Sequence, residues 1–136
     1  MLNSSGRIGR MLGSKHSFEF YSCYLLKVEL LKHRDKIVKF SKLSLSEVDE
    51  VEQRIFRNID FINEALIPIA HLKYAENLTA DIDPDDAPFV ALTKYIKGKI
   101  WTGDKELLKG LKNKGFTQTI TTAELSVLFD ELGIEY

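Results

Sequence analysis

The spacing of apolar residues along the chain predicts a largely helical protein with short strands between its helices. The clearest helix begins after Ser44, which forms an S-x-x-E capping box with Glu47. Apolar residues then recur at helical spacing, at Val48, Val51, Ile55, Ile59 and Ile62. A second capping box, Thr121 with Glu124, precedes the apolar-rich segment 123–133. Local sequence therefore predicts where two of the helices begin.

Further helices are predicted where apolar residues share one helical face. One contains Ile8, Met11 and Leu12, and the others span 24–40, 70–78, 86–97 and 105–114, the last two ending at Gly98 and Gly115. Strands are predicted at 17–22, 66–69, 99–102 and 116–120, and Pro68 limits the second of these to an edge strand or an extended connector. This order predicts an α/β fold with a parallel sheet covered on both faces.

Composition sets the broad class of the protein. The chain has 136 residues, 44% of them hydrophobic and 29% charged, which suits a single domain over 1–136. Cys23 is the only cysteine, so neither a disulfide framework nor a cysteine-rich zinc site is expected. No apolar run approaches the roughly 20 residues that span a bilayer, and the first 20 residues lack a signal-like apolar region. We therefore expect a cytoplasmic protein without a membrane partner.

The net charge of −1 conceals an uneven distribution. Residues 1–46 contain nine Lys or Arg against three acids, whereas residues 47–86 contain three against eleven. Charged runs usually form the solvated face of a helix, and this interpretation accounts for much of the acidic region. Seven lysines lie between Lys94 and Lys114 and flank Asp104. They predict a basic rim that attracts a polyanion, with Lys94, Lys97, Lys105 and Lys109 as its candidate binding residues.

Acidic residues cluster at two predicted helix starts within 81–108. Asp83, Asp85 and Asp86 precede Pro88, and Asp104 follows the turn at Gly103. Helix capping explains Asp86 and Asp104 as readily as a functional site does, and the residues alone leave both interpretations open. A third candidate is Glu29, an acid among the apolar residues Val28, Leu30 and Leu31. It lies one helical turn from His33, a spacing more typical of a surface pair than of a shared metal.

Four strings together resemble the PIN domain family of metal-dependent ribonucleases, in its stand-alone prokaryotic branch. They are LLKVELLKH, PDDAPFVALT, KIWTGDKELLKGLKNKGF and ITTAEL, and the resemblance extends over nearly the whole chain. The resemblance implies a three-layer α/β/α fold with a parallel sheet and a cluster of acids at its carboxyl edge. It aligns Glu29, Asp86 and Asp104 with the family's catalytic and metal-binding acids, and Thr102 with a hydroxyl position. Asp83 and Asp85 are supporting residues in this interpretation.

The chain departs from the family pattern at its start. Family members open with an apolar strand that ends in an Asp-Thr-Asn-like motif, and this chain has no counterpart of it. We therefore expect the first strand and its aspartate to be missing from 1–136, and a short upstream segment to encode them. A parallel sheet lacking an inner strand would leave two neighbouring strand edges unpaired.

Two functions from different classes follow. The first is a ribonuclease, such as the toxin of a toxin–antitoxin pair, in which Glu29, Asp86 and Asp104 hold Mg²⁺ or Mn²⁺. The second is a truncated or degenerate non-catalytic PIN-like module that binds RNA or a protein partner. RNA, an antitoxin and a second copy of the chain are the candidate partners. An aspartate phosphotransfer domain fits poorly, because no predicted strand ends in a lone Asp with matching Thr and Lys strands.

Overall fold

The computed structural model describes residues 5–14 and 18–135. The chain divides into two compact units. The first comprises Met1–Ile62 with Gly133–Tyr136, and the second comprises Asn63–Leu132. None of the helices in the described ranges is both long enough and apolar enough to cross a membrane. The prediction of a single domain over 1–136 stays a prediction.

The first unit contains four helices and two short strands within its described part. They are α1 Ser5–Gly13, β1 Tyr21–Cys23, α2 Leu25–Lys32, α3 Arg34–Ser41, α4 Leu45–Arg57 and β2 Asp60–Ile62. The strands pair in parallel, with Tyr21 opposite Asp60 and Cys23 opposite Ile62. Helix α1 packs on α4, and Met11 and Val48 are fully buried in this unit. The predicted capping box of α4 forms, because Ser44 Oγ accepts from the Glu47 amide and Glu47 Oε1 accepts from the Ser44 amide.

Three predictions for the first unit were wrong in position. The helix predicted over 24–40 breaks at His33, whose backbone is not helical (φ −100°, ψ 15°). The helix after Ser44 ends at Arg57, because the side chain and amide of Asn58 bond the last carbonyls, and Ile62 instead lies in β2. Apolar spacing alone does not distinguish the end of a helix from a strand that follows it. The strand predicted over 17–22 is displaced to Tyr21–Cys23, and Ser17 lies outside the described residues.

The second unit has a helical pair and a second set of parallel strands. Its elements are α5 Ile69–Thr79, α6 Ala87–Ile96, β3 Ile100–Trp101, α7 Lys105–Asn113, β4 Thr119–Ile120 and α8 Thr122–Glu131. Helices α5 and α6 pack together and bury Ala75, Val90 and Ala91. Strands β3 and β4 are parallel. The capping box of Thr121 and Glu124 forms as predicted, and Gly115 takes the left-handed conformation (φ 82°) expected after α7.

Parallel pairing in both units, with helices between the strands, confirms the predicted α/β fold class. Segment 66–69 was predicted as an edge strand or an extended connector, and the structure shows the connector. Leu66 ends a 3₁₀ turn (Glu64–Leu66), Ile67 is extended, and Ile69 begins α5. The left-handed residue after α6 is Lys97 (φ 57°) rather than Gly98, whose amide donates to Thr93 O.

Candidate functional site

Asp104 caps helix α7. Its Oδ1 accepts hydrogen bonds from the amides of Glu106 at 3.0 Å and Leu107 at 3.1 Å. These bonds satisfy two of the amides that a helix start leaves without an intrahelical partner, and the carboxylate charge is favourable at that end of the helix. Both capping bonds use Oδ1. No residue in the described part of the chain hydrogen-bonds Oδ2, so this oxygen is available to a ligand.

Thr102 shapes the turn that leads to Asp104. Its Oγ1 accepts a hydrogen bond from the Asp104 amide at 3.1 Å, and its own amide donates to Ile120 O at the end of β4. The side chain therefore links the turn to the paired strands β3 and β4. This geometry is compatible with the predicted supporting role, in which Thr102 holds the Asp104 carboxylate in place. The role itself stays a prediction.

Asp83, Asp85 and Asp86 precede α6: the first two bond each other at the start of a 3₁₀ turn, and the third is the N-cap residue of the helix. Asp83 Oδ1 accepts from the Asp85 amide at 3.0 Å and starts the 3₁₀ turn Pro84–Asp86. Asp86 follows at the N-cap of α6, is half-buried, and its side chain makes no capping bond. The helix begins at Ala87, one residue after the predicted start. Asp83 thus has a structural role in the turn, whereas helix capping does not account for the side chain of Asp86.

Glu29 lies on α2 beside His33. Oε2 of Glu29 is 3.5 Å from Nε2 of His33, and the two side chains are 27% and 49% exposed. The pair has the spacing expected for neighbours on a helix surface, in agreement with the sequence interpretation that favoured a surface pair over a shared metal. The Glu29 side chain is the less exposed of the two. No residue of α2 is fully buried, although the helix is rich in leucine.

Carboxylate oxygens are the donors that Mg²⁺ and Mn²⁺ prefer, so Glu29, Asp86 and Asp104 suit a hard divalent cation chemically. Across 5–14 and 18–135, however, no group of three or more His, Cys, Asp or Glu side chains is arranged to hold a metal ion. Magnesium is commonly bound by one or two carboxylates, with waters and substrate phosphates completing its shell. The donor chemistry fits a cation, but the described side chains do not form a three-ligand centre by themselves.

The four lysines of the predicted basic rim have different surroundings. Nζ of Lys94 lies 3.3 Å from the centre of the Tyr74 ring, a cation–π contact that fixes a half-buried side chain. Lys97 occupies the left-handed position after α6, where a positive charge interacts favourably with the helix dipole. Lys105 is exposed at the first position of α7, where the dipole opposes a cation. Helix stability therefore accounts for Lys97 but not for Lys105.

Lys109 lines a cleft that the sequence analysis did not single out. The same cleft contains Asp81, Glu106 and Lys114, and Lys114 Nζ pairs with Asp81 and donates to Leu78 O at 2.8 Å. The hydrogen bond from Lys114 holds the pKa of the Asp81 carboxyl below its ordinary value. Two acids beside Lys109 weaken its attraction for an anion. No sequence pattern joins Asp81 to Lys114, so only the structure reveals this pair.

Comparison with known proteins identifies the family. A family model described as PIN domain matches residues 2–127, which is nearly the whole chain. Among curated proteins and among solved structures, no significant match is found. The chain therefore belongs to the PIN domain family, whose members are in general nucleases that use divalent metal ions and act on RNA.

Proposed function

We propose that this protein is a divalent-metal-dependent ribonuclease that hydrolyses RNA phosphodiester bonds with Glu29, Asp86 and Asp104. Family membership supports nuclease activity in general. The observation that carries the residue assignment is the carboxylate of Asp104, which caps α7 through Oδ1 and leaves Oδ2 without a described hydrogen-bond partner. A purely structural cap needs only one carboxylate oxygen. The other oxygen of Asp104, Oδ2, can therefore coordinate a metal ion.

The bound cation would neutralise charge on the scissile phosphate and lower the pKa of an attacking water. The family resemblance assigns Glu29, Asp86 and Asp104 as its ligands, with Mg²⁺ and Mn²⁺ as the expected ions and with waters and substrate phosphates completing the shell. Thr102 positions Asp104 by accepting a hydrogen bond from its amide. The capping bonds from Glu106 and Leu107 fix the carboxylate rotamer before any ligand binds, and such preorganisation reduces the entropic cost of binding.

The lysines would attract the substrate by its phosphates. Lys105 immediately follows Asp104 and is exposed, so it is the candidate best placed to contact a phosphate near that carboxylate. Lys97, Lys94 and Lys109 would extend the basic surface, although Lys94 is held over Tyr74 and Lys109 has acidic neighbours. RNA binding through these residues should weaken as salt rises, because phosphate contacts release counterions.

The second candidate is a PIN domain that binds RNA or protein without cleaving. It is favoured by one observation, the lack of a three-residue metal-binding group among the described side chains. A toxin role with an antitoxin partner, a homodimer and a cytoplasmic location stay predictions under either candidate. The two functions are distinguished by cleavage of a labelled single-stranded RNA in millimolar Mn²⁺.

The proposed ribonuclease should cleave only with metal present, and Asp104→Asn should abolish cleavage. Asp130→Asn is the matched control, because it removes one exposed carboxylate charge from α8. The control variant should retain full activity. Absence of metal-dependent cleavage in the unsubstituted protein, while RNA binding persists, would establish the non-catalytic function instead. Metal-dependent cleavage that survives Asp104→Asn would remove Asp104 from the proposed centre.

A further inference from the structure

Three arginines line a cleft in the first unit, between α1 and the carboxyl end of α4. Its volume is about 500 Å³ and its lining residues are Gly9, Arg10, Val51, Arg54, Ile55, Arg57 and Asn58. None of the described residues that line it is acidic. The cleft is thus positive, although α4 belongs to the most acidic region of the sequence. We refer to it as the arginine cleft.

The three guanidinium groups are not equally available. Arg54 Nη2 lies 2.6 Å from Oε1 of Glu50, one turn earlier on α4. In the part of the chain that the structure describes, no acid pairs with Arg10 or Arg57, and both side chains are exposed. At least two positive charges of the cleft lining therefore have no neutralising partner among the described residues.

Helix stability explains part of this arrangement. Arg10 lies in the last turn of α1, and Arg54 and Arg57 lie in the last turn of α4, where cations interact favourably with the helix dipole. The dipole does not require the arginines of two helices to meet at one cleft. Moreover, the last carbonyls of α4 already accept hydrogen bonds, from Asn58 to Arg54 O and Ile55 O and from Ile59 to Phe56 O. Hence the guanidinium groups are not needed to satisfy that end of the helix.

The shape of the cleft limits the class of ligand. Gly9 contributes no side chain, and a Cβ atom built there would meet no described atom within 4 Å apart from its chain neighbours and the backbone of its own helix. Val51 and Ile55 contribute apolar side chains to the lining. A volume of about 500 Å³ lies in the range of sites that hold small organic ligands, and it exceeds the needs of a single phosphate ion. Arginine forks match phosphate oxygens in a bidentate geometry, so the cleft suits a phosphate with a sugar or base attached.

We propose that the arginine cleft binds the phosphate backbone of single-stranded RNA, with Arg10 and Arg57 as the principal contacts. The identification of RNA rests on the proposed ribonuclease function. None of these residues belongs to the proposed metal centre or to the lysine rim, so the cleft is an additional binding site. Its role is to bind a segment of the RNA that does not contain the cleaved phosphodiester bond.

Binding is tested with a 5′-fluorescein-labelled uridine 12-mer, by fluorescence anisotropy in EDTA so that no cleavage occurs. Arg10→Gln with Arg57→Gln should weaken binding about tenfold or more, the effect expected for losing charge-assisted hydrogen bonds. The slope of log K against log salt should become shallower by about 0.7 for each arginine removed. The matched control is Arg7→Gln, which removes the same charge from the same helix but lies outside the cleft lining. It should change the affinity less than twofold.

Two further variants separate the cleft from general charge. Gly9→Leu adds a side chain where the cleft is open and leaves the charge unchanged, so it should weaken RNA binding without lowering the melting temperature. Glu50→Gln releases Arg54 from its ion pair and should strengthen binding severalfold. A charge effect without a cleft predicts no response to Gly9→Leu.

The proposal is overturned if RNA affinity is unchanged in the double arginine variant, or if Gly9→Leu binds RNA as tightly as the unsubstituted protein. It is also overturned if pyrophosphate or an oligoglutamate peptide binds the cleft while the RNA remains insensitive to these variants. Failure of the ribonuclease is a separate result. If RNA binds through the arginine cleft but is never cleaved in Mn²⁺, the ribonuclease function is disproved and the binding site stands. If RNA is cleaved without any dependence on Arg10 or Arg57, the ribonuclease function stands and the binding site is disproved.

Discussion

The carboxylate of Asp104 accepts a hydrogen bond from the amide of Leu107 at 3.1 Å, and Leu107 itself is almost fully buried. Asp104, the candidate metal ligand, is thus linked through the first turn of α7 to the core of the second unit. Asp104 caps the helix with Oδ1, and Oδ2 is the oxygen that would bind a cation. Substitutions that keep the capping oxygen but remove the charge separate these two roles.

The first prediction concerns Asp104→Asn and Asp104→Ala. Asparagine is as good an N-cap as aspartate, so Asp104→Asn should leave the free energy of unfolding nearly unchanged, whereas Asp104→Ala should lower it by about 1 kcal/mol. In the unsubstituted protein, millimolar Mn²⁺ should raise the melting temperature, because a bound cation stabilises the folded state. Both variants should lose this rise. Melting temperatures with and without Mn²⁺ provide the measurement, and an undiminished rise in Asp104→Asn would contradict the assignment.

A second prediction concerns the pH dependence of stability. Lys114 lowers the pKa of Asp81 in the folded protein, so this group contributes stability above the unfolded pKa of about 3.9 and loses it as pH falls through the lower folded value. Asp81→Asn should therefore reduce stability at pH 7 and flatten the stability profile below about pH 4. Urea midpoints between pH 2.5 and 7 are the measurement. Lys114→Met should give the same flattening, and an unchanged profile in both variants would show that the pair does not form in solution.

The third prediction compares two helical glycines. A Cβ atom at Gly110 would lie 2.7 Å from Cγ1 of Ile82, whereas one at Gly9 would meet no described atom within 4 Å outside its chain neighbours and its own helix backbone. Gly110→Ala should therefore lower the free energy of unfolding by about 1–3 kcal/mol through overpacking. Gly9→Ala should raise it by about 0.5–1 kcal/mol, because alanine loses less backbone entropy in a helix. Chemical denaturation measures both, and Ile82→Ala should relieve the cost of Gly110→Ala. Equal effects at the two glycines would show that Ile82 moves aside without cost.

The fourth prediction concerns a carboxylate on the inner side of α4. Arg34 pairs with Asp49 and lies 3.7 Å from Glu52, while Oε1 of Glu52 is buried without a hydrogen-bond partner among the described residues. Arg34→Met leaves this charge unpaired and should cost about 3–5 kcal/mol. Glu52→Met removes the unsatisfied group and leaves Arg34 with Asp49, so stability should be equal or higher. The double substitution should recover most of the loss, and denaturation of the three variants checks this. A large loss in Glu52→Met would mean that the buried carboxylate has a partner in solution.

Much of the site could be predicted from sequence where its residues interact within one helical turn. The cap at Asp104, the turn started by Asp83 and both capping boxes involve residues two or three positions apart. The spacing of residue types therefore contains the necessary information. The environment of Lys94 does not follow from such spacing, because Tyr74 belongs to another helix and only the packing of α5 on α6 brings the two together.

The α/β class and the starts of α4, α7 and α8 were predictable from sequence alone, because capping residues and apolar periodicity act locally. The resemblance to the PIN family came from sequence motifs. Tertiary structure decided where the second strand lies, since Asp60–Ile62 becomes a strand by pairing with Tyr21–Cys23. It also decided the break at His33, after which Arg34 reaches two acids on α4. The arginine cleft arises in the same way, from residues of α1 and α4 that no local pattern relates. Contacts between residues distant in the chain depend on how whole elements pack, and a spacing rule within one element does not contain that information.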